Sequence, residues 1–250
     1  GTNGKGTTAR TLEQLCAVQG LSVGVYSSPH LLKFNERLRI NGEDVADALW
    51  CEAFTFIEQL RGDIELTYFE FTTLASFYLL KQQQPDICLI EVGLGGRLDA
   101  TNIIEPDLSI LTTVDLDHQD YLGPDRESIG REKAGVFRAG KPAVIGETDI
   151  PQSVLNYSQD ISAQLLCINT DFHYSVTDVG FHWQGVQSRL EALPLTAVPL
   201  QNIATALTAL EALALLPSQQ QATKVLTELS LPGRMQWLSK APGILLDVAH

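Results

Sequence analysis

No apolar run in the sequence approaches the ~20 residues that a membrane-spanning helix needs, and no signal peptide opens it. Positive charge is scarce. The 17 Lys+Arg stand against 30 Asp+Glu, a formal net charge of -13, which opposes nonspecific binding to nucleic acid and adhesion to anionic membranes. An anionic substrate must therefore meet a local concentration of positive charge. The four cysteines, Cys16, Cys51, Cys88 and Cys167, lie too far apart for zinc-site or redox-motif spacing and read as reduced, buried residues of a cytoplasmic protein. Internal repeats and low-complexity tracts are missing too. So are an initiator methionine and the buried strand that should lead into a phosphate loop. The 250 residues are therefore read as a piece of a longer chain, long enough for one large or two ordinary domains.

What is present begins at once. GTNGKGTT, residues 1–8, is a glycine-rich turn running into a helical pattern, an arrangement that leaves backbone N–H groups free for phosphate oxygens. Gly1, Thr2, Asn3, Gly4, Lys5, Gly6 and Thr7 are the candidate phosphate cradle, with Lys5 reaching the outer phosphates. The usual motif places Ser or Thr directly after the lysine; here Gly6 intervenes before Thr7.

Downstream, apolar spacing predicts a helix over 8–19 stopped by Gly20, then a buried strand, LSVGVYSS, with SSPHL at its carboxyl edge. ERLRI and Asn41-Gly42 predict a strand and turn. A helix over 45–60 should bury Leu49, Ala53, Phe56, Ile57 and Leu60. TYFEFTT leads into an apolar helix ended by Pro85, and ICLIEVG reads as a parallel strand covered on both faces. A second glycine loop, GLGGRLDATN, and a strand ending in DLDHQDYLG follow. RESIGREKAGVF predicts a helix, KPAVIG a strand, 151–163 a helix and LLCIN a strand. Short alternating runs over 172–198 predict a small antiparallel sheet, before helices over 202–216 and 218–229. Pro232-Gly233 marks a boundary between 1–232 and 233–250. The fold class is α/β, a P-loop nucleotide-binding domain with a mainly parallel sheet flanked by helices, plus the small antiparallel sheet.

Magnesium with a nucleotide calls for hard oxygen ligands, and strand ends in such sheets are where ligands bind. Glu91, after four apolar residues, and His118 both sit at such ends. A surface glutamate and a structural histidine are the plainer alternatives. Ser28 either gives a hydroxyl to the metal or caps the turn before Pro29. Asp99 and Arg97 share the second glycine loop, where a local ion pair is one reading. Glu70 can equally compensate a helix N-terminus, and Lys133 can be an ordinary helix lysine beside a glutamate. His173 and His182 are assigned no function.

Taken in order, GTNGKGTT, SSPHL with NERLRI, TYFEF, IEVGLGGRLDATN, DHQDYLG, REKAG, PGRMQ and DVAH resemble the folylpolyglutamate and dihydrofolate synthases, relatives of the Mur ligases. TYFEF and the GPDRESIGREKAGVFR run look most like the bifunctional bacterial type. The resemblance implies that residues 1–7 hold ATP phosphates, that Ser28, Glu91 and His118 hold Mg2+, and that Asn202, Arg234 and Asp247 contact the nucleotide. It implies pterin contacts at Thr67, Tyr68, Phe69 and Glu70, and at Leu98, Asp99 and Ala100. It also implies a carbamylated Lys133. Residues 1–232 become an ATP-binding domain, and 233–250 a linker with the first strand of a glutamate-binding domain.

The implied activity is ATP-dependent ligation of L-glutamate to dihydropteroate or folate through an acyl phosphate, by a monomer. Two rivals stand beside it: a Mur-type ligase acting on a nucleotide sugar, against which TYFEF and Gly6 argue, and a nucleotide-binding module without turnover. The family's pterin-binding N-terminal segment and glutamate-binding domain are not in these residues, so the piece is expected to bind rather than turn over.

Overall fold

The structure, a computed structural model, describes residues 1–230, 236–240 and 243–246. Helix α1 (Lys5–Ala17) starts earlier than its apolar spacing predicts, because Lys5, Gly6 and Thr7 form its first turn behind Gly4, whose φ is 82°. Strand β1 (Val23–Tyr26) is buried along its length. The predicted strand ERLRI is shorter than its motif: Phe34–Arg37 is a 3-10 turn, and only Leu38–Ile40 is strand β2. The reason is Glu36, whose carboxylate accepts the backbone N–H groups of Leu31, Leu32 and Lys33 and curls the chain before the strand. β3 (Glu43–Asp44) follows the Asn41-Gly42 turn.

Helix α2 (Asp47–Arg61) buries a different stripe from the one expected. Trp50, Ala53 and Ile57 are inside, whereas Leu60 is 67% exposed. Phe56 turns outward and stacks on Tyr78 of α3 (Tyr68–Gln83), ring centroids 4.3 Å apart. The aromatic cluster of Phe34, Trp50, Phe54 and Phe71 pulls the helix round, since rings bury more apolar area than Leu49 or Leu60. β4 (Ile87–Ile90) follows, then β5 (Ser109–Leu111), the short helix α4 (Gln119–Leu122), α5 (Arg126–Ala134), β6 (Pro142–Ile145), α6 (Gln152–Asp160) and β7 (Gln164–Cys167).

β8 (His173–Thr177), β9 (Gly180–Gln184) and β10 (Arg189–Leu193) form the expected antiparallel sheet in the order β10-β9-β8. His182 is a structural member of it, its Nδ1 accepting the Ala192 N–H at 3.0 Å. Helix α7 (Leu200–Ala212) is buried on nearly every side, ends before the predicted Leu216 and is followed by α8 (Gln219–Glu228). Its end is set by a turn in which Ala214 takes φ 57° and Leu215 N–H returns to Leu210 O at 2.7 Å. β11 (Gln236–Lys240) pairs antiparallel with β12 (Gly243–Leu246).

The strands carrying the site form two sheets. One has the order β3-β2-β1-β4, with β1 and β4 parallel; the other is the all-parallel β5-β6-β7. The expectation of a mainly parallel sheet between helices is met, with β2 and β3 as an antiparallel extension. One detail departs from it. β4 is not covered on both faces: Cys88 is exposed and its neighbours are half-buried. Of the cysteines expected to be buried, only Cys16 and Cys167 are, since Cys51 lies on the solvent side of α2. The main core joins α1, β1, α7, α8 and the antiparallel sheet through residues such as Leu15, Ile203, Leu207 and Trp183, none of them more than 0% exposed. Each such aliphatic side chain contributes roughly 1.5–3 kcal/mol.

Candidate active site

The first glycine loop is held from below. Thr2 N–H donates to Thr113 O at 2.9 Å, and Asn3 N–H donates to Thr113 Oγ1 at 2.8 Å. The hydroxyls of Thr112 and Thr113 donate to Asn3 O. Gly1 is pressed so closely on Thr112 that a Cβ there would overlap its hydroxyl. Gly4 needs its glycine twice over: φ is positive, and a Cβ would stand 2.8 Å from Asn202 Oδ1. Asn202, at the start of α7 and 6% exposed, packs on the loop. Gly6 differs, because a Cβ would meet nothing nearer than Glu91 Oε2 at 4.0 Å. Its role is to leave open the space between the loop and Glu91.

That space is electropositive. The first turn of α1 has no acidic side chain to compensate its dipole, so its free N–H groups face an open site suited to an anion. Lys5 Nζ rests on Gly1 O at 2.8 Å. Glu91 lies one residue past β4, its N–H donating to Tyr26 O at 2.9 Å. Burial raises its carboxyl above the usual range, against the pull of Lys5, the Ser28 N–H that donates to it and Arg39. A half-buried carboxylate facing a lysine and a phosphate loop fits a magnesium ion, which takes one or two carboxylates and completes its shell with phosphate oxygens and water. Among the described residues no three His, Cys, Asp or Glu side chains converge on a metal site, so a nucleotide would have to supply part of the shell.

Lys133, on α5, is 5% exposed, and no carboxylate lies within ion-pairing distance among the described residues. Burial first and Lys5 second lower its pKa to about 8, with Asp117 opposing. The plainer reading of a lysine paired with a neighbouring glutamate is overturned: Glu132 is held by Arg97 at 2.9 Å. The same pair overturns the local Arg97–Asp99 ion pair. His118 is exposed at φ 49° and joins Lys5, Lys133 and Gly93–Gly95 around a small pocket. Lys5 and Lys133 thus stand with Glu91 at one opening and with His118 at the other, while Ser28 reaches Glu91 through its N–H.

The candidate substrate residues stand otherwise. Thr67 and Glu70 form a reciprocal cap on α3: Thr67 Oγ1 accepts Glu70 N–H at 3.2 Å, and Glu70 Oε2 accepts Thr67 N–H at 2.7 Å. Asp99 is spent within its own loop, Oδ2 accepting Leu94 N–H at 2.8 Å and Oδ1 accepting Thr101 N–H at 2.9 Å. Phe69 packs on Gly93, where a Cβ would come within 2.6 Å of the ring. Tyr68 and Leu98 stay 62% and 79% exposed. Ala100 opens the 3-10 turn that Asp99 caps. Arg234 and Asp247 lie outside the described residues. Sequence reasoning missed the clamp of Thr112 and Thr113 on Asn3, although the two adjacent hydroxyls at the end of LSILTT were its available signal. It also missed Arg37, buried beneath SSPHL, where Nε donates to His30 Nδ1 at 2.9 Å and the guanidinium lies over Phe34 and Tyr68.

The Mur ligase middle domain family matches residues 1–193. The chain is 49% identical over 250 residues to the dihydrofolate synthase/folylpolyglutamate synthase of Escherichia coli (strain K12), covering all of this chain and 59% of that protein. It superposes on E. coli FolC in complex with DHPP and ADP with a TM-score of 0.96 at 49% identity, covering all of this chain and 60% of that one. For the Yersinia pestis bifunctional folylpolyglutamate synthase/dihydrofolate synthase complexed with AMPPNP and Mn ion, the TM-score is 0.95 at 52% identity, over all of this chain and 61% of the other. The chain thus spans about three-fifths of the length of these relatives. On its motifs, its fold and these likenesses, the chain belongs to the Mur ligase middle-domain family, on the side of the dihydrofolate synthase/folylpolyglutamate synthases.

Proposed function

We propose that the chain is the nucleotide-binding part of an ATP-dependent ligase that joins L-glutamate to dihydropteroate and to folate polyglutamates. The observation that carries this reading is that Lys5, Glu91 and Lys133 line one opening at the first turn of α1. A phosphoryl group seated there meets a lysine, free helix N–H groups and a carboxylate able to hold its counter-ion. Relatives crystallised with ADP and DHPP, or with AMPPNP and Mn, support the same choice of ligands.

In this reading the pteroate or folate carboxylate attacks the γ-phosphorus of ATP; an O–P bond forms, the bond to the ADP oxygen breaks, and ADP leaves with the electron pair. The α-amine of L-glutamate then attacks the acyl carbon, the C–O bond to phosphate breaks, and the amine proton passes to solvent. Lys5 and the N–H groups of residues 1–7 offset the charge that gathers on the transferring phosphoryl group. Magnesium, held by Glu91 with Ser28 and His118, would supply further positive charge at the phosphates.

Asn202 braces the loop, while Arg234 and Asp247 would reach the nucleotide from the undescribed part. Thr67–Glu70 and Leu98–Ala100 form the pterin side, with Glu70 and Asp99 setting the backbone and Tyr68 and Leu98 offering exposed apolar surface. Lys133 carries a carbamate: its neutral amine attacks carbon dioxide, an N–C bond forms, one C=O electron pair moves to oxygen, and the nitrogen releases a proton. The anion then attracts the metal cluster that an ammonium would repel. The protein acts as a cytoplasmic monomer. All four cysteines are free, as suits a reducing compartment, and among the described residues no helix is long and apolar enough to cross a membrane.

The test is ADP formation by the full-length protein and the 250-residue chain side by side. Turnover that requires both dihydropteroate and L-glutamate supports the reading. Turnover with a nucleotide-sugar acceptor instead points to a Mur-type ligase. Nucleotide binding with no turnover in either protein leaves only a binding module.

A further inference from the structure

Thr112 and Thr113 clamp the first glycine loop, yet both lie past the end of β5. The β5–β6 ladder closes where Gly146 N–H donates to Leu111 O at 2.8 Å. Beyond that point the chain relies on side chains. Val114, 2% exposed, donates its N–H to Glu147 Oε2 at 2.7 Å, and its carbonyl accepts Arg126 Nε at 2.9 Å. Both backbone polar groups of the residue that follows the clamp are thus fixed by one carboxylate and one guanidinium.

These two side chains are themselves anchored. Glu147, just beyond β6 and 9% exposed, accepts Asp149 N–H on its other oxygen, Oε1, at 3.0 Å. Arg126 Nη2 donates to Asp149 O at 2.6 Å and lies 3.7 Å from Glu147 Oε2, while Nη1 pairs with the Asp149 carboxylate. A carboxylate with both oxygens committed to backbone N–H groups is suited to holding geometry rather than to moving protons. Arg126 also sits where helix physics disfavours it, since a cation in the first turn of α5 opposes the helix dipole. Lys133 follows seven residues later, about two turns and ~10 Å along the same face. Arg126 therefore ties the helix that bears Lys133 to the segment that clamps the loop.

Resting on the ligase reading above, we propose that Glu147 and Arg126 are positioning residues for phosphoryl transfer, which lock Val114 so that the Thr112–Thr113 clamp holds the first glycine loop in one arrangement before the nucleotide binds. Neither side chain touches the phosphates. The chain of contacts is short: Glu147 and Arg126 hold Val114, the adjoining Thr113 holds Asn3 through its hydroxyl and Thr2 through its carbonyl, and α1 begins at Lys5. A misplacement of about 1 Å in such a frame costs roughly 10²-fold in rate, so a loosened clamp loses both phosphate affinity and transfer rate. The pterin side is fixed by other contacts, the Thr67–Glu70 cap and the Asp99 turn, and is left in place.

The experiment uses the full-length protein with Glu147→Ala, Glu147→Gln, Arg126→Ala and, as a control, Glu211→Ala. Glu211 accepts the N–H groups of Val186, Gln187 and Ser188 in the β9–β10 turn, so its loss frees backbone amides on the antiparallel sheet instead. Amide exchange over 1–4 and 112–115 is read by mass spectrometry, Mg-ATP affinity by titration calorimetry, and kcat and KM by ADP release. Glu147→Ala and Arg126→Ala are expected to speed exchange in both segments at least about 10-fold. They should weaken Mg-ATP binding about 10-fold and lower kcat about 10–100-fold, with the KM for dihydropteroate held within about 2-fold. Glu147→Gln, whose amide oxygen still accepts Val114 N–H, should recover most of the loss. Glu211→Ala should lower the melting temperature and leave exchange over 1–4 and Mg-ATP affinity unchanged. Unchanged exchange or Mg-ATP affinity in Glu147→Ala overturns the proposal, as does an equal effect of Glu211→Ala or equal weakening of ATP and dihydropteroate. If the alanine variants do not fold, Arg126→Lys decides: one ammonium cannot bridge Val114 O and Asp149 O as the planar fork does, and unchanged exchange over 1–4 there overturns the proposal. A wild-type protein that forms no ADP with dihydropteroate and L-glutamate removes the ligase reading, while exchange and Mg-ATP titration still test the clamp.

Discussion

The two glycine-rich loops make the most instructive pair of regions in this chain. In the first, residues 1–7, the fold grips the carbonyl side through Thr112 and Thr113 and leaves the N–H groups of α1's first turn facing open space beside Lys5. In the second, residues 93–102, the loop consumes its own polar groups: Asp99 accepts Leu94 and Thr101, Arg97 holds Glu132, and Asn102 Nδ2 donates to Arg97 O. Both loops need glycine for close approach. Only the first keeps donors in reserve. A glycine loop binds anions when its amides are left unsatisfied by the protein, and it is a wall when they are not.

The largest break in that contrast is expected at the first loop. Lys5→Ala in the full-length protein should lower kcat by roughly 10²–10³-fold, since it removes a cation from developing phosphoryl charge. Glu91→Gln should weaken magnesium-dependent ATP binding by roughly 10–100-fold, seen by titration calorimetry. Burial already disfavours the Glu91 carboxylate, so the melting temperature should hold or rise; normal Mg-ATP binding and turnover in Glu91→Gln would remove it from the metal site.

Lys133→Ala should come next, with activity lost and partly restored by formate or acetate filling the carbamate's place. Wild-type rates without additive, or no rescue at any concentration, would rule out a carbamate. A related effect appears without catalysis, in bicarbonate-free buffer. The folded chain loses the Lys133 proton near 8, whereas the ordinary value is 10.5. The folded state therefore carries the cost of a buried ammonium below pH 8, and that cost fades as pH rises toward 10.5. Lys133→Met should thus raise stability by ~1–3 kcal/mol at pH 7 and by less at pH 10, as read by denaturant melts.

In the second loop, Asp99→Ala should cost ~1 kcal/mol by freeing the Leu94 and Thr101 amides. It should also raise the dihydropteroate concentration needed, with ATP affinity nearly unchanged. Equal loss of both ligands would make the loop a general structural support instead. The smallest effects compare two neighbouring glycines. Gly6→Ala lies in the first turn of α1 with room for a methyl group, and should raise stability by ~0.5 kcal/mol while weakening ATP binding. Gly4→Ala, at φ 82° and against Asn202, should destabilise by more than 1 kcal/mol.

Much of this was legible in the chain because it is local. Glycine spacing around Lys5, apolar runs ending in Glu91 and in DLDH, and alternation over 172–198 each express backbone geometry over a few residues, and a helix start, two parallel strands and an antiparallel sheet stand there in the structure. Capping was half legible: Thr67 and Glu70 show capping-box spacing, and the helix-end reading of Glu70 is the one its hydrogen bonds bear out. Distance in sequence hid the rest. Nothing near Asn3 announces Thr112, nothing near Arg97 announces Glu132, and the choice of Trp50 over Leu60 for the core depends on rings contributed by Phe34 and Phe71. The sequence by itself determined the order of elements, the first glycine loop and the residues at strand ends. Only the tertiary structure decided which carboxylates remain free and which are spent, and that Lys133 stands buried beside Lys5. Those properties are set by burial and by hydrogen-bond partners from remote segments, which exist only once the chain has packed.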